Sequence, residues 1–152
     1  MTASILLIQD NKQVRFNYQV IDTYEAGLVL VGSEVKSIRA RSIQLKDAYV
    51  SFKNNEAFLQ NAHISEYKAS SYNNHEPERL RKLLLNHKEL VEIESAIKEK
   101  GLSCVPLKIY FKDGRVKVEI ALVKGKKTHD KRESIKKQDV DRQLRRVTQK
   151  DR

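Results

Sequence analysis

Residues 105–122 constrain the fold more than any other part of the chain. Val105, Leu107, Ile109 and Phe111 alternate with other residues up to Asp113-Gly114, and Val116, Val118, Ile120 and Leu122 alternate after it. A period of two places such a set on one face of an extended strand. Asp-Gly tolerates the two positive φ angles of a type I′ turn, whose twist matches the strands it joins. The other face carries Lys108, Tyr110, Lys112, Lys117 and Glu119. These residues predict an antiparallel hairpin with one buried and one wet side.

A second hairpin is expected where 48–53 and 56–62 flank Asn54-Asn55, residues that accept left-handed turn conformations. Residues 18–31 read as extended, with Tyr18, Val20 and Tyr24 alternating and Leu28 to Val31 continuously apolar. Ala26-Gly27 interrupts them and predicts a bulge or sharp bend. Gly32-Ser33-Glu34 then opens a short helix, with Ser33 as its N-cap and Val35 and Ile38 on its apolar side. A polar loop over 70–78 ends at Pro77. Leu80, Leu83, Leu84, Leu90, Val91, Ile93 and Ile97 predict a helix over about 78–100, stopped by Gly101. Five or six strands and two helices in this order give an α+β, β-rich fold. The expected architecture is a small antiparallel OB-like barrel with two to three flanking helices.

Charge divides the chain unevenly. Of the formal net charge of +10, residues 124–152 supply +7, with 12 Lys/Arg against five Asp/Glu. A concentrated basic segment attracts polyanions and releases their counterions. Nucleic acid is the leading partner and an anionic membrane the competitor. In the same segment Val140, Leu144 and Val147 form one thin apolar stripe among Arg142, Arg145 and Arg146, too narrow to dock on a core. The expected organisation is therefore a barrel over 1–123 and a basic, largely disordered tail over 124–152 that orders against RNA. The single cysteine, Cys104, permits no internal disulfide and reads as a buried hydrophobe in a reducing compartment. No signal peptide or membrane span is legible, so a cytoplasmic protein is expected.

Catalytic patterns are missing from the sequence. His63, His75, His87 and His129 stand at no metal-ligand spacing with Cys104 or each other. There is no Gly-rich phosphate loop, no nucleophile elbow, and no acidic cluster of the kind a two-metal nuclease needs. His129-Asp130 beside Lys131 and Arg132 sits in a Gly/Lys-rich stretch that offers no rigid pocket for acid–base chemistry. No catalytic residue, metal site or cofactor is expected. A basic nuclease is the weakest reading, and a generic OB module that binds single-stranded RNA or associates with ribosomes is the main alternative.

Several separated blocks resemble one family. Tyr24-Glu25-Ala26-Gly27-Leu28, then Gly32-Ser33-Glu34-Val35-Lys36-Ser37-Ile38-Arg39, then Leu45-Lys46-Asp47-Ala48-Tyr49 are similar to the opening signature of SsrA-binding (tmRNA-binding) proteins. Arg81-Lys82-Leu83-Leu84-Leu85-Asn86, the strand Val105 to Phe111, and the block Lys117 to Arg132 continue the pattern in order. Arg41 departs from it, since the family usually has a small residue or Gly there. The resemblance implies an OB-like barrel that binds the tRNA-like domain of transfer-messenger RNA. It also implies delivery of that RNA to stalled ribosomes, with no catalysis by the protein. The implied partners are that RNA and the small-subunit RNA at the decoding centre and mRNA channel, with the free protein a monomer.

By motif position the resemblance implies RNA contacts at Asn11, Glu25, Leu84 and Asn86, while Lys36 and Arg39 read either as an extension of the RNA-binding basic surface or as the wet face of the first helix. Asn and Glu can read base or ribose edges, and an exposed Leu can cover a base face. Three consecutive leucines, Leu83 to Leu85, turn through about 200° on a helix and cannot all face one core. In the tail the resemblance implies Gly125 as a hinge, with Lys126, Lys127, His129, Asp130, Lys131 and Arg132 reaching the decoding centre. Lys136, Lys137, Arg142, Arg145 and Arg146 are expected phosphate contacts.

Overall fold

The computed structural model describes residues 4–67 and 74–125. The predicted hairpin is present as β8 (Ser103–Lys112) and β9 (Arg115–Gly125). Asp113 and Gly114 take φ of 51° and 82°, so both central residues meet the type I′ requirement. The second hairpin is β4 (Tyr49–Lys53) and β5 (Glu56–Gln60), turning through Asn54 and Asn55 at φ 52° and 62°.

The chain begins with two elements that the sequence did not announce. Ile5–Asp10 forms β1, which lies antiparallel to β8, and Lys12–Asn17 forms α1. Neither carries a clear period, and α1 runs straight into β2 (Tyr18–Leu28) without a turn signal. Strand β2 continues through Ala26-Gly27. Its register shift lies between Val20 and Asp22 instead.

Gly32–Arg39 forms α2. Ser33 is not its cap. The chain enters from Val31, whose N–H donates to Glu34 Oε1 at 2.9 Å, while the Ser33 hydroxyl meets His75 Nδ1 at 2.8 Å. His75 Nε2 lies 2.8 Å from the Ile64 carbonyl, to which it can only donate, so Nδ1 accepts from Ser33. A two-residue bridge then joins β3 (Ile43–Gln44) to β6 (His63–Ile64).

The helix expected over 78–100 is replaced in its first part by a strand. Arg81–Leu84 is β7, pairing with β2 through Leu28–Leu83 and Gly27–Leu84 and with β5 through Ala57–Leu83. Two open strand edges satisfy the backbone of 81–84 more fully than one helical turn would, so tertiary pairing overrides the local stripe. Helix α3 is His87–Lys100, and Gly101 ends it at φ 65° as expected.

The seven long strands form one antiparallel sheet in the order β1-β8-β9-β2-β7-β5-β4. It curls until β4 lies against β8, giving the expected β-rich barrel, with three helices among the described residues. Side chains bridge the remaining seam. The Gln9 amide donates to the Ile43 carbonyl and accepts from Leu45 N–H, an imitation of strand pairing. Arg41, in the left-handed region at φ 64°, sends Nη1 to the carbonyls of Leu7 and Ile8 at 2.9 and 3.1 Å. The residue at this unusual position therefore ties the end of α2 to the edge strand.

Inside, Ile38, Leu45, Leu59, Ile64, Leu83, Ile93, Ile109, Val118 and Ile120 build the main core. Val105 and Leu107 do not share it with Ile109 and Phe111. A bulge between Pro106 and Lys108 reverses their facing, and they pack with Val14, Ala121 and Val123 under α1. The core also encloses an ion group. Glu34 and Arg81 are fully buried and joined at 2.7 Å, with Arg79 at 2.7 Å on the other carboxylate oxygen. Arg81 uses its remaining donors on the carbonyls of Ala62 and Pro77. Burial pushes the Glu34 carboxyl up. The hydrogen bonds from Arg79, Val31 N–H and Arg81 outweigh it and hold the group below the usual carboxylate range.

Candidate nucleic-acid interface

Strand register fixes what the outer sheet face displays, because residues paired across antiparallel strands point to the same side. One row runs Leu7, Tyr110, Lys117, Gly27, Leu84 across β1, β8, β9, β2 and β7. The row beside it holds Asp10, Lys108, Glu119 and Glu25, and the row on the other side Ile5, Lys112 and Arg115. Helix α1 covers this face only further along, where Val14 packs on Val105, Leu107, Ala121 and Val123. The part bearing Glu25 and Leu84 is open.

Two of the predicted contacts therefore share one surface. Leu84 is 53% exposed and lies directly across from Gly27, two residues along β2 from Glu25. Leu84 points outward as expected, although for a different reason. In a strand, neighbours alternate, so Leu83 is buried and Leu84 is not. Asn86 follows two residues later as the N-cap of α3. Its Oδ1 accepts from Glu89 N–H at 2.9 Å, and the Glu89 carboxylate reaches back to Asn86 N–H. Asn86-His87-Lys88-Glu89 is a capping box, a signal that fixes the helix start within the longer apolar pattern.

Glu25 is held in place by two neighbouring side chains. Its carboxylate accepts from the Tyr110 hydroxyl at 2.5 Å and from Lys112 Nζ at 3.3 Å. The Tyr110 hydrogen bond holds the Glu25 carboxyl below its ordinary value, against an opposing push from burial, and Lys112 adds to the lowering. The same contact raises Tyr110, after burial as the larger cause. Glu25 is thus an ionised, oriented acceptor with lone pairs available for base amino groups or ribose hydroxyls. Lys112 and Lys117 belong to this surface too, with Tyr110 buried beside them on the same strand face, and the polar face of the predicted hairpin already held all three.

The other predicted residues lie elsewhere. Asn11 is 8% exposed, and its side chain turns into the barrel seam rather than onto the outer face. Its Nδ2 donates to the carbonyls of Pro106 and Leu45 at 3.1 and 3.3 Å. It borders a cleft of about 970 Å³ between α1, β4, α3 and the start of β8. Lys36 lies over the Tyr67 ring at 5.6 Å and Arg39 over Phe111 at 4.4 Å. Phe111 faces the core side of β8, so Arg39 lies on the opposite side of that strand from Glu25 and Leu84. Gly125 ends β9 opposite Tyr18. The predicted tail contacts from Lys126 to Arg146 lie outside the described residues.

Among the described residues no group of three His, Cys, Asp or Glu side chains could hold a metal ion, and no helix is long and apolar enough to cross a membrane. Burial pushes the Cys104 thiol up to about 12, which makes it a poor nucleophile.

Comparison with known proteins places this architecture. The family model described as SmpB protein matches residues 8–150. The chain is 67% identical to an SsrA-binding protein of Bdellovibrio bacteriovorus, over 95% of each chain. It is 54% identical to one of Gloeothece citriformis over 93% of this chain and 92% of that one, and 53% identical to one of Enterococcus hirae with the same coverage. A solved chain described as "tmRNA-SmpB: a journey to the center of the bacterial ribosome" superposes with a TM-score of 0.69 at 41% identity. That superposition covers 84% of this chain and 93% of that one. Family match, identity over more than nine-tenths of the chain and shared fold agree, and the chain is a member of the SmpB, or SsrA-binding, protein family.

Proposed function

We propose that the protein binds the tRNA-like domain of transfer-messenger RNA through the open outer face of its barrel and brings that RNA to stalled ribosomes in the cytoplasm. Its relatives are named for binding SsrA, and its structural neighbour is described with tmRNA and the bacterial ribosome. The observation that carries the site assignment is the placement of Glu25 and Leu84 on one uncovered sheet face. A carboxylate held ionised and an aliphatic side chain held outward suit an RNA loop whose bases are unstacked. Asn86, at the edge of that face, is a third contact. Asn11 supports the surface by locking the seam, and Lys36 and Arg39 add positive potential from α2. The protein acts by binding and carries out no catalysis.

The basic segment beyond Gly125 supplies the second half of the reading. Its Lys and Arg residues contact small-subunit RNA in the empty mRNA channel, with Gly125 as hinge and His129 as a stacking group.

A gel shift at fixed, stated salt tests the first half. The tRNA-like domain should outcompete both an ordinary tRNA and an unstructured RNA of equal length. Equal competition by the unstructured RNA would make the protein a generic single-strand binder and sink the proposal. Removal of residues 131–152 should spare that binding and abolish tagging on stalled ribosomes.

A further inference from the structure

The outer face does not end at Glu25. Its central row continues from Leu84 and Gly27 through Lys117 and Tyr110 to Leu7 on the edge strand β1. Leu7 is 47% exposed, and Ile5, two residues earlier on the same face, is 60% exposed. Four strand spacings of about 4.8 Å separate Leu7 from Leu84, so two aliphatic platforms stand about 19 Å apart along the sheet surface. Nothing among the described residues covers either one.

The ground between them is polar and leaves cations over. Lys112 pairs with Glu25, Lys108 with Glu119 at 3.6 Å, and Arg15 with Asp10 at 3.1 Å. Every carboxylate on the face thus has a cation beside it. Lys117 and Arg115 make no salt bridge among the described residues. An apolar protein partner would bury this ion lattice at a desolvation cost. A polyanion with exposed base faces is matched by both halves of the pattern: aliphatic plates at the two margins and surplus positive charge between them.

We propose that Leu7 and Ile5 form a second base-covering platform for the same RNA that Leu84 contacts, with Lys117 as a phosphate contact between the two. This rests on the outer-face reading above and deepens it. One structured RNA spans five strands, touching apolar side chains at β7 and β1 and the lysine at β9. The bound RNA is held at two separated points, which fixes its orientation on the barrel as well as its affinity.

The test compares the tRNA-like domain bound to the full-length protein and to three variants at one salt concentration. Ile5→Ser with Leu7→Ser should weaken binding about tenfold, the scale of a lost base-stacking contact. Leu84→Ala should do the same. If Leu84→Ala weakens binding while the double variant stays within about twofold of the parent, the β1 platform is wrong and the outer-face reading stands. If neither weakens it, the outer-face reading falls as well. Lys117→Ala should lower the slope of log affinity against log salt by about 1, and an unchanged slope removes Lys117 from the contact. Because polar substitutions on β1 can loosen that strand, a folded probe accompanies them. Leu7→p-benzoylphenylalanine in the full chain should photocrosslink to the RNA, and absence of that crosslink, with one obtained from the same probe at Leu84, overturns the proposal.

Discussion

Leu84 stands over Gly27 across the β2–β7 pair so closely that a methyl group on Gly27 would meet Leu84 Cβ at 3.3 Å and Cδ1 at 3.4 Å. Gly27 serves here through its missing side chain, since it lets Leu84 lie flat on the sheet while staying exposed. Gly27→Ala should tilt Leu84 away. We expect RNA affinity to fall about fivefold, near 1 kcal/mol. The melting temperature should move by only a few degrees. Fluorescence anisotropy beside a thermal melt measures both, and unchanged affinity would mean that the Leu84 seat is irrelevant to binding.

The capping role of Asn86 and its proposed RNA contact separate by substitution. As N-cap it accepts from Glu89 N–H, and Asp caps as well as Asn. Asn86→Ala should cost about 1 kcal/mol in urea unfolding, whereas Asn86→Asp should leave stability near the parent value. RNA affinity should fall in both, because Asp lacks the amide donor and adds negative charge near phosphates. If Asn86→Asp binds like the parent, the residue is a cap and nothing more.

The Tyr110 hydroxyl is the main reason the Glu25 carboxyl titrates below its ordinary value. Tyr110→Phe removes that donor, so the Glu25 carboxyl should move upward, toward the usual carboxylate range. Carbon-detected NMR titration of the Glu25 side chain reads this directly. A downward or absent movement contradicts the role given to Tyr110. RNA binding by this variant should also weaken at mildly acidic pH before the parent's does.

The ion group around Glu34 makes stability depend on pH with a definite sign. Its folded carboxyl lies below its value of 4.5 in an unperturbed chain. The resulting stabilisation is complete above that value and is lost as pH falls through the lower, folded one. Glu34→Gln should therefore be less stable than the parent at neutral pH and should show a flatter loss of stability below pH 4.5. Arg81→Ala leaves the Glu34 carboxylate to Arg79 and Val31 N–H but takes away its buried partner and the donors to the Ala62 and Pro77 carbonyls, and should cost about 3 kcal/mol. Denaturant midpoints across pH check both, and parallel pH profiles for parent and Glu34→Gln would refute the assignment.

Local chemistry was legible wherever a turn or period stood alone. Asp113-Gly114 and Asn54-Asn55 specified their hairpins, and Gly101 specified the end of α3. Leucines 83 to 85 show the limit of such patterns. Within a helical reading one of them had to face outward, but the residue that does so was decided by β7 pairing between β2 and β5. The candidate site was half legible for a similar reason. Glu25 and Leu84 stand at motif positions, and Lys112 and Lys117 share one polar strand face in the alternating pattern. That all of them share an open surface depends on strand registers that join residues far apart in the chain, such as Gly27 with Lys117 and Glu25 with Glu119.

Two hairpins, the β-rich class, the positive charge gathered after Val123 and membership of the family follow from the order of residues alone, because each depends on neighbours within a few positions or on composition. Folding had to bring distant strands together before Arg81 was buried against Glu34, Asn11 locked the seam, Arg41 stapled β1, and Leu7 and Leu84 stood on one face. Those outcomes come from strand register and side-chain burial, where a one-residue shift would reverse every facing.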